Sequence, residues 1–558
     1  MKIYKNVKFI IVFSIAILIS NACTDKFEEL NTRNDLVTED LVDVNLMLTR
    51  VQVKSIKEEI GGNFGNGYGN GIIGHYSGMS STIGSRPFQE GDAPEVWSST
   101  YSTYTNNLSE IIRLTKDDPE LINKTAIARI MKVWAFAKVT DTYGDIPYFE
   151  SNLPIEQAIF DPKYDSQKSI YEHFFAELKA AAVELDPSKE SYGGADLIYA
   201  GDVEKWRKFA NSLRLRLALR IRYADQQMAI NNISDLQESD LILTRADDAI
   251  MFTSTDNADN QNELYNHLKD IGSGMYKNII GQELVNIMTS KNDPRIKIWA
   301  DTAKAEFPKD DPAIDYFGYR GMPVLGLVPV EYKYPWQLES VSRVSDLWYV
   351  PVIEAPVMRS SEVYFALSEA ALFGLRGGSA QAYYSAGVEA AMSWAKEFYE
   401  TCAPQLPGVL ETMYPDWSED DIALLIAHKE LTQAEIDVFL ASPATILSGS
   451  PEQQLEQIII QKNISLYPLE YQNWAEWRRT GYPIVQVGPD DDDLKGVSPR
   501  RMPWPDIEKT TNSESYKEAL SRLSGDDNRL TKLWWDANPS VPYYNPDPLP
   551  SMDKPWVE

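Results

Sequence analysis

Apolar residues recur in this chain at helical spacing over long stretches, and that periodicity restricts its fold more than any other feature. Ile127, Ile130, Met131 and Trp134, followed by Lys138, fall at i, i+3, i+4 and i+7 steps and so share one side of a helix. The lysine stem can cover the apolar edge of that stripe. Ile170, Phe174, Leu178, Ala181 and Leu185 repeat the pattern, with Asp165 or Ser166 as N-cap and Pro187 beyond the end. Trp206, Phe209, Leu213 and Leu217 form a third stripe. It opens with Asp202 and Glu204 and closes with Arg214, Arg216, Arg220 and Arg222, the charge order a helix dipole favours.

Two further helices, over about 361–375 and 380–399, are joined by Arg376-Gly377-Gly378-Ser379, with glycine to end the first and Ser379 to cap the second. Small residues (Ala366, Ala370 and Ala371 in one, Ala386, Gly387, Ala390 and Ala391 in the other) let the pair approach closely. The expectation is a mainly all-α chain built of helix hairpins. Tetratricopeptide-type arrays use the same unit, yet no strict repeat of about 34 residues is present and long insertions separate the hairpins.

Those insertions differ in composition. Residues 61–74 (GGNFGNGYGNGIIG) are rich in Gly and Asn, and 315–356 is a long run rich in aromatics and proline. Loops of that length are uncommon unless they serve a function or lack order, so function is expected there and stability in the helices. The acidic run 490–493 lacks the alternating carboxylates and the turn glycine of a calcium loop and reads as a solvated loop.

The N-terminus has its own character. Lys2, Lys5 and Lys8 precede an apolar run from Phe9 to Ile19, the profile of a signal peptide over residues 1–22. Eleven helical residues span about 16 Å, roughly half a bilayer's hydrocarbon core, so the run is too short to cross a membrane. It ends in Ser20-Asn21-Ala22-Cys23, which resembles the lipobox of bacterial lipoproteins, with serine where leucine is usual. Cys23 is the expected lipidation site and membrane anchor, and residues 23–34 a tether; ordinary cleavage near Ala22 is the alternative. With Cys23 lipidated, Cys402 has no partner for a disulfide. A net charge of -29, which becomes -32 without the three leader lysines, argues against nucleic acid, whose phosphates demand Lys and Arg.

Catalytic patterns are scarce. His75, His173, His267 and His428 stand far apart, with no HExxH grouping, no GxSxG elbow and no phosphate loop. No enzyme activity, metal or cofactor is expected. A glycosidase carboxylate pair needs only to converge in space, so a glycoside hydrolase is retained as an alternative. A purely adhesive surface protein is a third class, and it would bind no soluble ligand.

Four segments, AIARIMKVWAFAKVTDTYGDIPYFE (126–150), MRSSEVYFALSEAALFGL (358–375), IIIQKNISLYPLEYQNWAEWRRTGYP (458–483) and SPRRMPWPDIEKTTNSESY with GDDNRLTKLWWD (498–536), resemble in their order the SusD/RagB-like outer-membrane lipoproteins of Bacteroidota. The enlarged connection 401–450 departs from that pattern, as does the irregular lipobox. The resemblance implies an α-superhelical scaffold over 35–558 forming one nutrient-binding domain, with ligand-binding loops laid over it. It also implies a SusC-like TonB-dependent transporter as partner, an outer-membrane location facing the cell exterior, and a glycan or oligosaccharide as cargo; some relatives serve peptide uptake, so a peptide ligand stays open. Within the signature, Trp474, Trp477, Arg478, Arg479 and Gly481 read as a helix end rather than a substrate clamp, and Trp534, Trp535 and Asp536 as a pin for the C-terminal segment.

Sugar rings stack their C–H faces on aromatic rings and place their hydroxyls against polar side chains. Two loops carry that mixture. The first holds Tyr68, Asn70, His75, Tyr76 and Phe88, and the second Tyr332, Tyr334, Trp336, Gln337, Arg343, Trp348 and Tyr349. Any one ring alone reads as core; as a set, Tyr68, Asn70, Tyr76, Phe88, Tyr334, Trp336, Arg343 and Trp348 are the expected ligand contacts.

Overall fold

Each apolar stripe becomes a helix, and consecutive helices pack side by side. The computed structural model describes residues 42–61, 76–77, 93–256, 258–266, 278–303, 318–321, 341–484 and 499–541; the leader, Cys23, the tether and the acidic run 490–493 lie outside them. In chain order the helices are α1 (Val44–Gly61), α2 (Ala93–Ser99, continued by a π-helical turn, Thr100–Tyr104), α3 (Thr105–Thr115), α4 (Ile122–Tyr143), α5 (Gln167–Glu184), α6 (Val203–Arg220), α7 (Gln226–Ile233), α8 (Gln282–Thr289) and α9 (Ile296–Trp299). There follow α10 (Ser360–Leu372), α11 (Ala380–Cys402), α12 (Leu406–Met413), α13 (Glu419–His428), α14 (Gln433–Leu440), α15 (Pro451–Leu466), α16 (Glu470–Thr480), α17 (Asp506–Thr511) and α18 (Ser513–Arg522). Among the described residues the strands are short antiparallel pairs: β1 (Tyr76–Ser77) with β5 (Ile279–Ile280), β2 (Ile146–Pro147) with β3 (Tyr164–Asp165), and β4 (Ala249–Phe252) with β6 (Glu354–Met358).

Packing runs from α3 to α4, α5, α6 and α7 in sequence and then, through α6, to α10, which pairs with α11 and α15; α15 leads to α16. The chain is thus an all-α, tetratricopeptide-like scaffold, and the described residues from Asn45 onward group as one compact unit. The expected caps are in place. The Ser166 hydroxyl accepts from the Ser169 amide at 3.2 Å, Asp202 from Glu204 at 3.0 Å, and Ser379 from Ala382 at 3.2 Å.

The α10–α11 hairpin shows both the predicted close approach and a shifted boundary. A Cβ added to Gly387 would lie 2.8 Å from the Phe365 ring, so glycine is required for α11 to sit this close to α10. The first helix ends at Leu372 rather than 375, because Gly374 at φ +67° turns the chain and lets the Leu375 amide reach the Ala370 carbonyl at 2.8 Å. The second runs on to Cys402, which is buried and free.

The stripe reading of α4 was too narrow. All but a few of its residues are buried, because α3, α5 and α6 all pack on it. Lys138 does not cover an edge: it is buried, with its ammonium 2.7 Å from Glu59 and over the rings of Trp134 (4.9 Å) and Tyr471 (4.8 Å).

The arginines of α6 and of the turn after it also do more than follow the dipole. Arg216 makes a bidentate pair with Glu362 (2.6 and 2.7 Å), Arg222 meets Glu369 at 2.6 Å, and Arg220, fully buried, meets Asp141 at 2.5 Å and Gln472 at 2.9 Å. Glu369 in turn holds Arg479 through two bonds, and Arg479 and Lys462 converge on Glu476 at 2.5 and 3.3 Å. Apart from the separate Arg216–Glu362 pair, these contacts form a continuous buried seam joining α4, α6, α10, α15 and α16. Burial alone would raise the carboxyls of Glu369 and Glu476, but Arg479, with Arg222 on the first and Lys462 and Arg220 on the second, holds both below the usual carboxylate range.

The C-terminal pin closes the same region. Trp535 is fully buried between the guanidiniums of Arg220 (5.4 Å) and Arg478 (4.8 Å), and Asp536 pairs with Arg500 at 2.5 and 2.7 Å. Gly481 is the C-cap of α16, as expected, at φ +81°. Arg478 nevertheless serves more distant groups than its own helix end: it stacks on Trp474 at 3.5 Å and donates to the backbone carbonyls of Asp141 (2.6 Å) and Arg500 (3.0 Å).

Candidate functional site

Backbone pairing brings one residue of each aromatic-rich loop to the same strand. Tyr76, from the first loop, pairs with Ile280, and Arg343, from the second, bridges to Ile279, so β5 lies between them. Around it the Ile280 amide donates to the Ser342 carbonyl (3.1 Å), the Val344 amide to Asn278 (2.8 Å), and the Ser342 amide to Arg320 (2.7 Å). Gly321 comes so close to Gly281 and Gln282 that an added Cβ would fall 2.3 Å from the Gln282 Cα. The strand and its neighbours therefore form a small frame, 76–77, 278–282, 318–321 and 341–345. Segments 62–75, 78–92, 267–277, 304–317 and 322–340 each start or end within a few residues of it or of Ala303, whose amide bonds the Gly318 carbonyl at 3.2 Å.

Beneath the frame stands an aromatic pillar. Trp348 stacks on Trp299 (ring centroids 5.5 Å apart, planes 13° apart) and packs against Phe398 (4.3 Å) and Tyr467 (4.7 Å), and its indole N–H donates to the Ile298 carbonyl at 3.0 Å. Trp348 is 0% exposed. A ring with both faces covered cannot stack on a sugar, so its assignment as a ligand contact is corrected: it ties the second loop to α11 and to the end of α15. Tyr349, also buried, accepts from the Asn278 amide at 3.1 Å, which fixes the frame to the same pillar. Asn262 holds this stretch by donating to the Trp348 and Val350 carbonyls at 2.8 and 2.7 Å.

Of the other expected contacts, Tyr76 and Arg343 lie in the frame, placed there by their backbones. Tyr68, Asn70, Phe88, Tyr334 and Trp336 lie outside the described residues, as do His75, Tyr332 and Gln337.

The enlarged connection 401–450 folds into α12, α13 and α14 and supports the frame from one side. Lys429, 2% exposed, donates to the Asp301 carboxylate and to the Ser345 hydroxyl (3.2 Å) and lies 3.7 Å from Asp346. Lys297 reaches Glu435 at 2.5 Å, and Gln405 exchanges hydrogen bonds with the backbone of Val352 at 2.8 and 3.0 Å. The His428 ring stacks on Tyr319 (centroids 6.4 Å apart, planes 23° apart). Burial, aided by Lys297 and Lys429, lowers the His428 pKa, which keeps the ring neutral at pH 7. Sequence reasoning missed all of these residues. An Ala-His-Lys-Glu sequence at a helix end carries the signal of solvated surface and nothing that names a partner far away in the chain.

Among the described residues, no group of three or more His, Cys, Asp or Glu side chains could hold a metal ion, and no helix is long and apolar enough to cross a membrane.

The class that the fold defines is an all-α, tetratricopeptide-like scaffold with a small strand frame set into it. The comparisons with known proteins narrow that class. The SusD-like family model described as "Starch-binding associating with outer membrane" matches residues 87–505. The chain belongs to the SusD-like family of outer-membrane-associated proteins. No curated protein sequence matches it. Among solved structures, a chitin-binding protein is 26% identical with a TM-score of 0.73, over 89% of this chain and 100% of that one. A SusD homologue from Bacteroides uniformis is likewise 26% identical, with a TM-score of 0.66 over 89% and 100%. A chitin-binding SusD homologue from Flavobacterium johnsoniae, 24% identical, shares the fold with a TM-score of 0.65 over 89% and 99%.

Proposed function

We propose that this chain binds a glycan at the outer cell surface and passes it, uncleaved, to a SusC-like TonB-dependent transporter. The observation that supports the reading is that Tyr76, from the first loop, and Arg343, from the second, pair with the same strand at Ile280 and Ile279. The proposed site residues are Tyr68, Asn70, Tyr76, Phe88, Tyr334, Trp336 and Arg343. Membership of a family described as starch-binding, and likeness to a chitin-binding protein, make chitin and starch oligosaccharides the first ligands to test.

Cys23 anchors the protein by its acyl chains, which makes docking onto a transporter in the same membrane effectively intramolecular. Cys23→Ala protein should leave the membrane fraction, and retention at the wild-type level contradicts the anchor.

The soluble mature domain, titrated with chitin and starch oligosaccharides and assayed in parallel for new reducing ends, tests the central reading. Saturable binding with no new reducing ends is expected. Reducing-end release would identify a hydrolase instead, and binding of peptides but of no glycan would replace the cargo.

A further inference from the structure

We infer that the connection 401–450 positions the ligand-bearing frame, and that Lys429 is its principal positioning residue. The inference rests on the proposed glycan-binding role for its function, but its structural part stands independently.

Three observations support it. First, Lys429 is a buried cation facing two carboxylates, Asp301 and Asp346, with the Ser345 hydroxyl 3.2 Å away. The Asp346 amide also donates to Asp301, at 3.3 Å. These acids belong to the two stretches that carry the frame: the Asp301 amide bonds the Arg343 carbonyl at 2.8 Å, and the Ser345 amide bonds the Trp299 carbonyl at 3.0 Å. The Lys429 ammonium thus meets both carboxylates at the point where the second loop crosses the chain leaving α9.

Second, the contacts of the connection with the rest of the body repeat the same target. His428 covers Tyr319, next to the Arg320 that bonds Ser342, while Glu435 and the Glu430 carbonyl hold Lys297, and Gln405 holds Val352. Third, the connection is anchored well enough to transmit that hold. Its helices α13 and α14 begin with complete capping boxes at Ser418 and Thr432, and Phe439 and Ile436 of α14 are buried. A buried lysine without its carboxylates, or carboxylates without their lysine, is strongly unfavourable, so the frame and the connection are bound to adopt one relative arrangement.

The test compares Lys429→Met with Lys429→Arg by hydrogen exchange, reading the amides of 299–303 and 341–346 against those of α4 and α10. Methionine keeps the bulk and removes the charge; arginine restores it. The expected result is exchange at least tenfold faster in 299–303 and 341–346 for Lys429→Met, unchanged exchange in α4 and α10, and recovery of most protection in Lys429→Arg. A glycan that the wild type binds should bind at least tenfold more weakly to Lys429→Met and near normally to Lys429→Arg. Unchanged exchange in the frame overturns the inference whatever the glycan result. Equal loss of protection in α4 and α10 overturns it too, since Lys429 would then support the whole fold. Should Lys429→Met fail to fold, Glu435→Gln, which loosens Lys297 at the rim, must raise exchange at 299–303 more than in α10, or the inference fails. If the wild type binds no glycan, the exchange measurement still decides the positioning claim while the proposed function falls alone.

Discussion

The seam around Glu369 and Glu476 and the frame around Ile279 hold the chain together by different means. The seam is a connected set of buried charges whose members come from 141, 220–222, 369 and 462–479, and most of these lie in the segments that resemble the SusD-like family. The frame is made of backbone hydrogen bonds between short, irregular stretches, and its side-chain support comes from a tryptophan pillar and from Lys429. A backbone frame accepts almost any side chain in the loops it carries, whereas a buried ion seam accepts almost none. A family signature can therefore mark the scaffold without naming the ligand.

The seam should be the more fragile to substitution. Glu369→Ala removes the buried carboxylate of Arg222 and leaves Arg479 with Glu476 alone, and breaking one buried pair already costs about 3 to 5 kcal/mol. Urea unfolding should show a loss at or above that range, and a loss under about 1 kcal/mol would mean that the seam is dispensable. Trp348→Ala comes next. It empties the pillar and should cost about 3 to 5 kcal/mol, the range for deleting a buried aromatic. A melting temperature within a degree or two of wild type would return Trp348 to the ligand surface.

Acid should weaken the seam. Glu369 and Glu476 titrate below their unfolded value, near 4.3, so their contribution is complete above that pH and is lost as pH falls through the depressed folded values. Stability should accordingly change little through these groups from pH 7 to 5 and decline steeply below about 4, and the decline should shrink in Glu369→Gln. A contribution from Glu369 and Glu476 that declined with rising pH between 5 and 7 would contradict the assignment.

Much of the scaffold was legible because it is local. Stripes at 3.6-residue spacing, caps such as Ser166, Asp202 and Ser379, and the small residues around Gly387 each carry their signal within a few positions. The seam was not, since the partner of Arg222 is 147 residues away at Glu369 and nothing local distinguishes it from a dipole-friendly arginine. Trp348 was misplaced for a related reason. In an aperiodic loop no spacing reports which rings face inward, and its cover, Trp299, Phe398 and Tyr467, comes from three distant stretches. For the site itself, composition picked out two loops and the structure joined their ends, through Tyr76 and Arg343.

The smallest expected change in stability tests the division between scaffold and site most directly. Trp336→Ala, titrated calorimetrically with the best-bound oligosaccharide, should lose about 1 to 3 kcal/mol of binding free energy, the scale of one large aromatic contact, while its melting temperature stays that of the wild type. Undiminished affinity, or a melting temperature that falls as far as that of Trp348→Ala, would contradict the account.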